Sequence, residues 1–337
     1  MKIAIIGAGN IGTAMAALIS GSGAEVTLTA RGGRLKTVQD QGVALDDRGT
    51  LHRACPRCVE ALDEVQDAVF LCVKAQQLGD AVAANAAGIG PDTLVIPMVN
   101  GLPFWFHLPE PREVPHTDAH GILARSLRPG QILGAVLLMT VQTDETGLAI
   151  STNTPTLSLA PIAPGADAAK IDALIATLNA GGVKTDLSPD IREKMLVKLM
   201  ANVATNPLSA LMGCTLHDIG HSEDLLCVAF TVADEFRDWA ARDLGRQLPP
   251  NQWLGDLFRD AGDFPTSMLQ DARAGRPLEL DAICRAAMAL AGPQAMPCLA
   301  AIVSALDAAA SLPLGHDAAG AALAELLTHT TLERTTS

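Results

Sequence analysis

The chain has 337 residues, a length that divides naturally into two domains. It is 49% hydrophobic and 18% charged, which excludes a disordered polymer and leaves enough apolar material for cores without disulfide staples. A formal net charge of −13 excludes nucleic acid and anionic membranes as general partners, so any phosphate or carboxylate ligand needs a local cluster of positive groups.

The start, Met1-Lys2-Ile3-Ala4-Ile5-Ile6-Gly7, has too short an apolar run for a secretory signal. Lys2–Ile6 is short, apolar and β-branched, which predicts a buried strand. Asn10–Ser20 follows as a helix, with Ile11, Met15, Leu18 and Ile19 on one face. Strands are predicted over Glu25–Thr29, Val69–Val73 and Thr93–Met98, with a helix over Gln76–Ala87 between the last two. Val136–Thr143, Thr156–Ala160 and Val183–Asp186 add further strand signals. This alternation predicts an α/β fold with a doubly wound parallel sheet, helices on both faces.

The character changes at Ser188. From Pro189 to about Leu327, segments rich in Ala, Leu and Met dominate and predict an all-helical part. Ser188 followed by Pro189 reads as a side-chain cap and a proline at the first helical position. The expected domains are therefore 1–188 and 189–330, with a polar, fraying tail over 331–337. The long uncharged stretch Ala286–Leu306 is interrupted by Gly292-Pro293-Gln294 and Pro297. It predicts buried helices with a break, not a membrane span.

Gly7-Ala8-Gly9-Asn10-Ile11-Gly12 fits the G-x-G-x-x-G pattern. It directly follows a predicted strand and opens a predicted helix, the context that a dinucleotide site requires. Gly7 permits the tight turn, Gly9 lets the backbone approach a pyrophosphate, and Gly12 lets the helix pack on the strand. The free N–H groups of the helix start then meet the phosphates. Gly7, Ala8, Gly9, Asn10, Ile11 and Gly12 are candidate cofactor-binding residues. The second strand ends Thr29-Ala30-Arg31-Gly32-Gly33-Arg34, without the acid that bonds a ribose 2′-hydroxyl in NAD sites. A guanidinium matches a 2′-phosphate, so the expected cofactor is NADPH/NADP+, with Arg31 first and Arg34 second. Arg34 fits a solvated loop charge equally well.

In the helical half, Lys198, Asn202 and Asn206 stand at i, i+4 and i+8 on one stripe of a helix that is otherwise almost wholly apolar. Polar groups so placed are costly to bury unless they face a cavity or a partner. Pro207 follows at once and predicts a kink. A lysine that snorkels outward and two locally bonded amides are the bland reading. The chemical reading is a partly buried lysine whose lowered pKa suits a general acid, beside neutral amides that hold carboxylate or hydroxyl groups.

The seven cysteines are odd in number and scattered through apolar runs, as expected for reduced thiols in the cytoplasm. Cys55-Pro56-Arg57-Cys58 is a lone CxxC with no second pair. His107, His116, His120, His217 and His221 lack metal-like spacing, and His217 and His221 have no evident third ligand. No metal site is expected.

With these residues in view the sequence resembles the ketopantoate reductase (2-dehydropantoate 2-reductase) family over most of its length. The matching elements are Gly7-x-Gly9-x-x-Gly12, Arg31, Val73-Lys74-Ala75-Gln76-Gln77 and Asn100-Gly101. Further along they are Lys198-x3-Asn202-x3-Asn206-Pro207, Ser267-Met268-Leu269-Gln270-Asp271 and Arg276-Pro277-Leu278-Glu279-Leu280-Asp281. The resemblance implies a Rossmann domain followed by an all-helical domain, with the site in the cleft between them. It implies NADPH-dependent reduction of the 2-keto group of ketopantoate, for pantothenate and coenzyme A synthesis. It implies Lys198 as proton donor and Glu279 as the acid that bonds cofactor and positions the lysine. Asn202, Asn206 and Ser267 match substrate-holding residues. Asn100 matches a residue touching both nicotinamide and substrate, and Lys74 and Gln77 match the cofactor side.

The chain departs from the family pattern at Leu216 and Phe264, where family members often carry asparagines. An unusual segment, Leu102-Pro103-Phe104-Trp105-Phe106-His107, follows Asn100-Gly101. It fits a wall or lid favouring an apolar keto acid, and equally a packed surface insertion. Asp271 and Asp281 read as helix-surface or capping acids, and Gln270 as a locally bonded side chain. The alternatives are a relative acting on another 2-keto or 2-hydroxy acid, and a non-catalytic NADPH-binding sensor. The expected partner is a small 2-keto acid, in the cytoplasm, with no membrane and no nucleic acid. Apolar helices in the second half leave a homodimer open.

Overall fold

Four of the five side chains of Lys2–Ile6 are buried, and this run forms β1 at the centre of a five-stranded sheet. The structure is a computed structural model that describes residues 1–110, 112–118, 121–144 and 147–332. His120 and the tail beyond Leu332 lie outside the described residues. The chain falls into two units. The first comprises Met1–Val99, Pro103–Val114 and Asp118–Lys194; the second comprises Asn100–Leu102, Pro115–Thr117 and Met195–Ser337.

In the first unit β1 leads through α1 (Asn10–Ser20) to β2 (Glu25–Thr29) and α2 (Gly32–Gln41). A hairpin of β3 (Val43–Asp47) and β4 (Thr50–Ala54) follows, then β5 (Arg57–Val59), β6 (Ala68–Leu71), α3 (Leu78–Ala84) and β7 (Leu94–Pro97). The main sheet has the order β5-β2-β1-β6-β7 with every pair parallel. Strand order reverses at β1, so the crevice that open α/β sheets use for ligands lies just past its carboxyl end. After α4 (Ile122–Ser126) come β8 (Leu133–Leu138), β9 (Val141–Thr143), β10 (Ala149–Ser151), β11 (Thr156–Pro161), α5 (Ala168–Ala180) and β12 (Lys184–Leu187). They build two small sheets, β4-β3-β10-β9 and β12-β11-β8, which mix parallel and antiparallel pairs. One core of Ile, Leu, Val, Ala and Met side chains from all three sheets, α1 and α5 closes the unit.

Several expectations shift. The strand over Val69–Val73 is β6 and stops at Leu71. The helix over Gln76–Ala87 shrinks to α3 between two 3-10 turns, Ala75–Gln77 and Ala86–Gly88. The strand over Val136–Thr143 is two strands, because Asn153 bonds the Thr140 amide and hydroxyl at the break. The hairpin was missed, although Arg48 and Gly49 both take positive φ, the requirement of a tight two-residue turn.

The rest of the chain is helical: α6 (Ile191–Met212), whose first turn belongs to the first unit, and then, in the second unit, α7 (Leu216–His221), α8 (Glu223–Leu244), α9 (Asn251–Asp260), α10 (Ser267–Arg273), α11 (Ala286–Ala291), α12 (Pro297–Ala308) and α13 (His316–Leu332). Ser188 does not cap α6. The Asp190 carboxylate does, accepting from the Glu193 amide at 3.0 Å, while the Ser188 hydroxyl is buried without a partner. The helix then continues through Pro207 to Met212. α8 buries Val228, Val232, Phe236 and Trp239 on one face, and its Glu235 carboxylate accepts the Cys298 and Leu299 amides at 2.6 and 3.1 Å. Those are the first free donors of α12, since Pro297 has none, so the buried charge sits at a helix start that favours it. The break inside Ala286–Leu306 falls as expected, at Gly292 with φ +97. Among the described residues no helix is long and apolar enough to cross a membrane.

Candidate active site

The glycine-rich turn leaves β1 and opens α1, and its three glycines meet different constraints. Gly7 has φ +105, and a Cβ there would lie 2.7 Å from the Cys72 carbonyl oxygen. A Cβ on Gly12 would fall 1.8 Å from the Gly7 oxygen. A Cβ on Gly9 would meet nothing within 4 Å. Gly7 and Gly12 are therefore required by the fold itself, whereas Gly9 borders open space where a ligand backbone can approach. α1 has no side-chain cap and no acid in its first turn, so its N–H groups and positive dipole end are offered outward. Asn10 turns its side chain away, donating to Val141 O at 3.2 Å and accepting from Thr143 Oγ1 at 2.7 Å. The residues present fit a pyrophosphate.

Arg31 stands exposed just before α2. Arg34 differs: its Nε donates to Ala8 O at 3.3 Å and its Nη2 to Thr13 Oγ1 at 2.8 Å. It ties the glycine turn to α1 and is no free loop charge. Lys74 and Gln77 bracket the 3-10 turn after β6, and the Gln77 side-chain oxygen accepts from the Lys74 amide at 3.4 Å.

In the second unit, Lys198 projects from α6 and donates from Nζ to Asn100 Oδ1 at 3.0 Å. Burial pushes the lysine down to about 8, while the Glu279 carboxylate opposes the shift. Asn100 is held by its neighbours. Gly101 takes φ +90 with its backbone against Ala282, and the Leu102 amide donates to Ala282 O at 2.7 Å. That carbonyl belongs to a π-helical turn, Asp281–Arg285, which begins two residues after Glu279. The turn thus docks the Asn100 segment beside the acid's own strand of chain, the kind of helix irregularity found at functional sites.

Asn202 lies one turn beyond Lys198 and is part-exposed; Asn206 is buried. Ser267 opens α10 with its side chain exposed. Asp271 is not a surface or capping acid. It is buried and pairs with Arg276 Nε at 2.8 Å, joining the Ser267-to-Asp271 and Arg276-to-Asp281 segments. Asp281 is half-exposed and pairs with Arg285 at 2.8 Å, and Gln270 donates locally to Pro265 O. The candidates are shared between the two units. Lys198, Asn100, Glu279, Asn202, Asn206 and Ser267 belong to the second unit; the glycine turn, Arg31, Lys74 and Gln77 belong to the first.

The aromatic segment is packed rather than exposed. Leu102, Phe104, Trp105, Phe106 and Leu108 are all buried. Trp105 packs against Gly134, where a Cβ would sit 3.0 Å from the ring. Arg192 donates to the carbonyls of Phe106 and Leu108, which fixes the loop. Among the described residues no group of three or more His, Cys, Asp or Glu is placed to hold a metal ion.

Sequence reasoning missed three polar residues near the candidates: Arg34 as a tie to the turn, and the hydroxyls of Ser209 and Thr266. Thr266 carries a legible signal, a threonine immediately before a helix start, and it does cap α10. The other two contacts join residues 26 and 57 apart in the chain, beyond any local pattern.

Two family models match. Residues 3–115 fit "Ketopantoate reductase PanE/ApbA", and residues 190–309 fit its C-terminal counterpart. A 2-dehydropantoate 2-reductase of Mesorhizobium japonicum is 33% identical over 303 residues, covering 86% of this chain and 91% of that protein. The crystal structure of a Ralstonia solanacearum MolK2 protein assigned as a ketopantoate reductase superposes with a TM-score of 0.82 at 28% identity, over 90% of this chain and 96% of that one. A D-mandelate dehydrogenase solved with NADH and anilino(oxo)acetate shares the fold, with a TM-score of 0.76 at 21% identity, over 97% and 100% of the two chains.

Proposed function

Because the chain belongs to the ketopantoate reductase family of nicotinamide-dependent oxidoreductases acting on CH–OH groups, we propose that it reduces 2-dehydropantoate to pantoate with NADPH. The observation that carries this reading is Lys198: a lysine lowered to about 8, hydrogen-bonded to Asn100 and under the field of Glu279. When bound, the reduced nicotinamide supplies a hydride to the keto carbon. Lys198 Nζ donates a proton to the keto oxygen as negative charge develops there, and its positive charge stabilises that oxygen before transfer. Asn100 fixes the direction of Nζ. Glu279 favours the charged amine and so keeps the donor loaded near neutral pH. Asn202, Asn206 and Ser267 hold the carboxylate and hydroxyl of the substrate through uncharged donors. Gly7 to Gly12 hold the pyrophosphate, Arg31 the 2′-phosphate, and Lys74 and Gln77 the flank of the cofactor.

Leu216 and Phe264 favour a second reading, a family member whose keto acid is more apolar than 2-dehydropantoate. Steady-state rates with NADPH across a panel of 2-keto acids separate the two. The first reading expects the highest kcat/KM for 2-dehydropantoate; a branched or aryl keto acid leading the panel would establish the second. A protein that binds NADPH but reduces none of them would be the sensor.

A further inference from the structure

Two buried hydroxyls adjoin, along the chain, two of the residues assigned to the substrate. Ser209 is fully buried on α6, one turn after Asn206, and Thr266 is 7% exposed at the cap of α10, immediately before Ser267. Their oxygens are 2.5 Å apart. Ser209 Oγ also lies 3.0 Å from Asn206 O, and Leu269 N donates to Thr266 Oγ1 at 3.1 Å. Proton counting fixes the direction of the chain. A backbone carbonyl only accepts, so Ser209 gives its single proton to Asn206 O. Thr266 must then give its own to Ser209, and it accepts from Leu269 in turn. The relay runs one way, from the Leu269 amide through both hydroxyls to the Asn206 carbonyl, and each hydroxyl proton is used once.

We propose that Ser209 and Thr266 are positioning residues that set the spacing between Asn206 and Ser267, and through it the fit of the keto acid. The proposal rests on the functional reading above. The hydroxyls bond each other, Asn206 O and the Leu269 amide rather than Lys198, so the role assigned to them falls on substrate fit, with proton transfer and cofactor binding left alone. The pair is also short and buried, so it ties two helices together by more than apolar packing.

The test uses the full chain with NADPH and the best keto acid of the panel. Thr266→Val and Ser209→Ala should each raise KM for the keto acid about tenfold, the worth of one well-made hydrogen bond, with kcat little changed. Thr266→Ser should restore KM, and NADPH affinity by fluorescence titration should stay at the wild-type value. An unchanged KM with only a lowered Tm, a loss confined to kcat, or no rescue by serine overturns the proposal. Ser209→Ala keeps the Thr266 cap on Leu269 and decides the matter if Thr266→Val does not fold. A wild type that turns over no 2-keto acid strikes the functional reading and this role with it. An active wild type with silent variants strikes the pair alone.

Discussion

Lys198 and Asn100, 98 residues apart in the chain, meet through a 3.0 Å hydrogen bond from the ammonium to the side-chain oxygen. The acceptor is neutral, so the bond directs Nζ without cancelling its charge. The charge itself is set by two opposed effects, burial against it and Glu279 for it, with burial the larger.

Removing the donor should stop the chemistry without emptying the cofactor site. Lys198→Ala is expected to lower kcat by about 10²- to 10⁴-fold, the usual worth of a positioned general acid. NADPH titration should give wild-type affinity. A kcat within a few-fold of wild type would assign proton donation elsewhere.

The pH profile follows from the sign of the shift. Lysine ordinarily titrates at 10.5; here it is lowered to about 8. A donor acts only while protonated, so kcat/KM for reduction should be flat below that point and fall as pH rises through it. Glu279 raises the value, so Glu279→Gln should move the break to lower pH. A break that moves upward in the variant contradicts the assignment.

The two arginines should separate by cofactor. Arg31→Ala is expected to weaken NADPH far more than NADH, because only the former carries a 2′-phosphate. Arg34→Ala loosens the glycine turn proposed to hold both nucleotides, so it should weaken both alike. Parallel titrations with the two cofactors check the contrast.

The glycines should separate by folding. Gly12→Ala drives a Cβ into the Gly7 carbonyl and should destabilise the chain in thermal melts. Gly9→Ala meets no protein atom, so Tm should be kept while NADPH affinity falls. Lost cofactor affinity in a normally stable protein is the signature of a backbone that must be bare for its ligand.

The aromatic segment offers a negative control. Trp105 is 1% exposed, so Trp105→Ala should cost about 3–5 kcal/mol in denaturant unfolding, as large-to-small core changes do. KM for the keto acid should not change in the folded fraction. A change in substrate preference would restore the lid.

What the sequence made legible was local. Lys2–Ile6, Asn10–Ser20 and Glu25–Thr29 fold over those very residues, because period, glycine punctuation and β-branching agree there. The small sheets were poorly read. β5, β9 and β10 are three residues each, too short for alternation to register. Ser188-Pro189 misplaced the cap because the helix begins two residues further on, at Ile191, where the Asp190 carboxylate accepts the Glu193 amide. The Lys198 stripe was readable from helical spacing, but its Asn100 and Glu279 neighbours came only with the family likeness. Phe104, Trp105 and Phe106 could not be placed, since the same residues suit a wall or lid and a packed insertion alike, and the Arg192 tether that fixes the loop lies 86 residues away.

Asn100, Gly101 and Leu102 group with the helical unit although the chain on either side of them belongs to the sheet unit. Severing the gene between the stretches matched by the two family models would leave neither product with both the amine and its acceptor. The lone carboxy-terminal fragment would also leave Ala282 O without the Leu102 donor that docks there. Reassembly from separately expressed pieces therefore has to restore a three-residue loan from one fragment to the other before the amine meets its acceptor again.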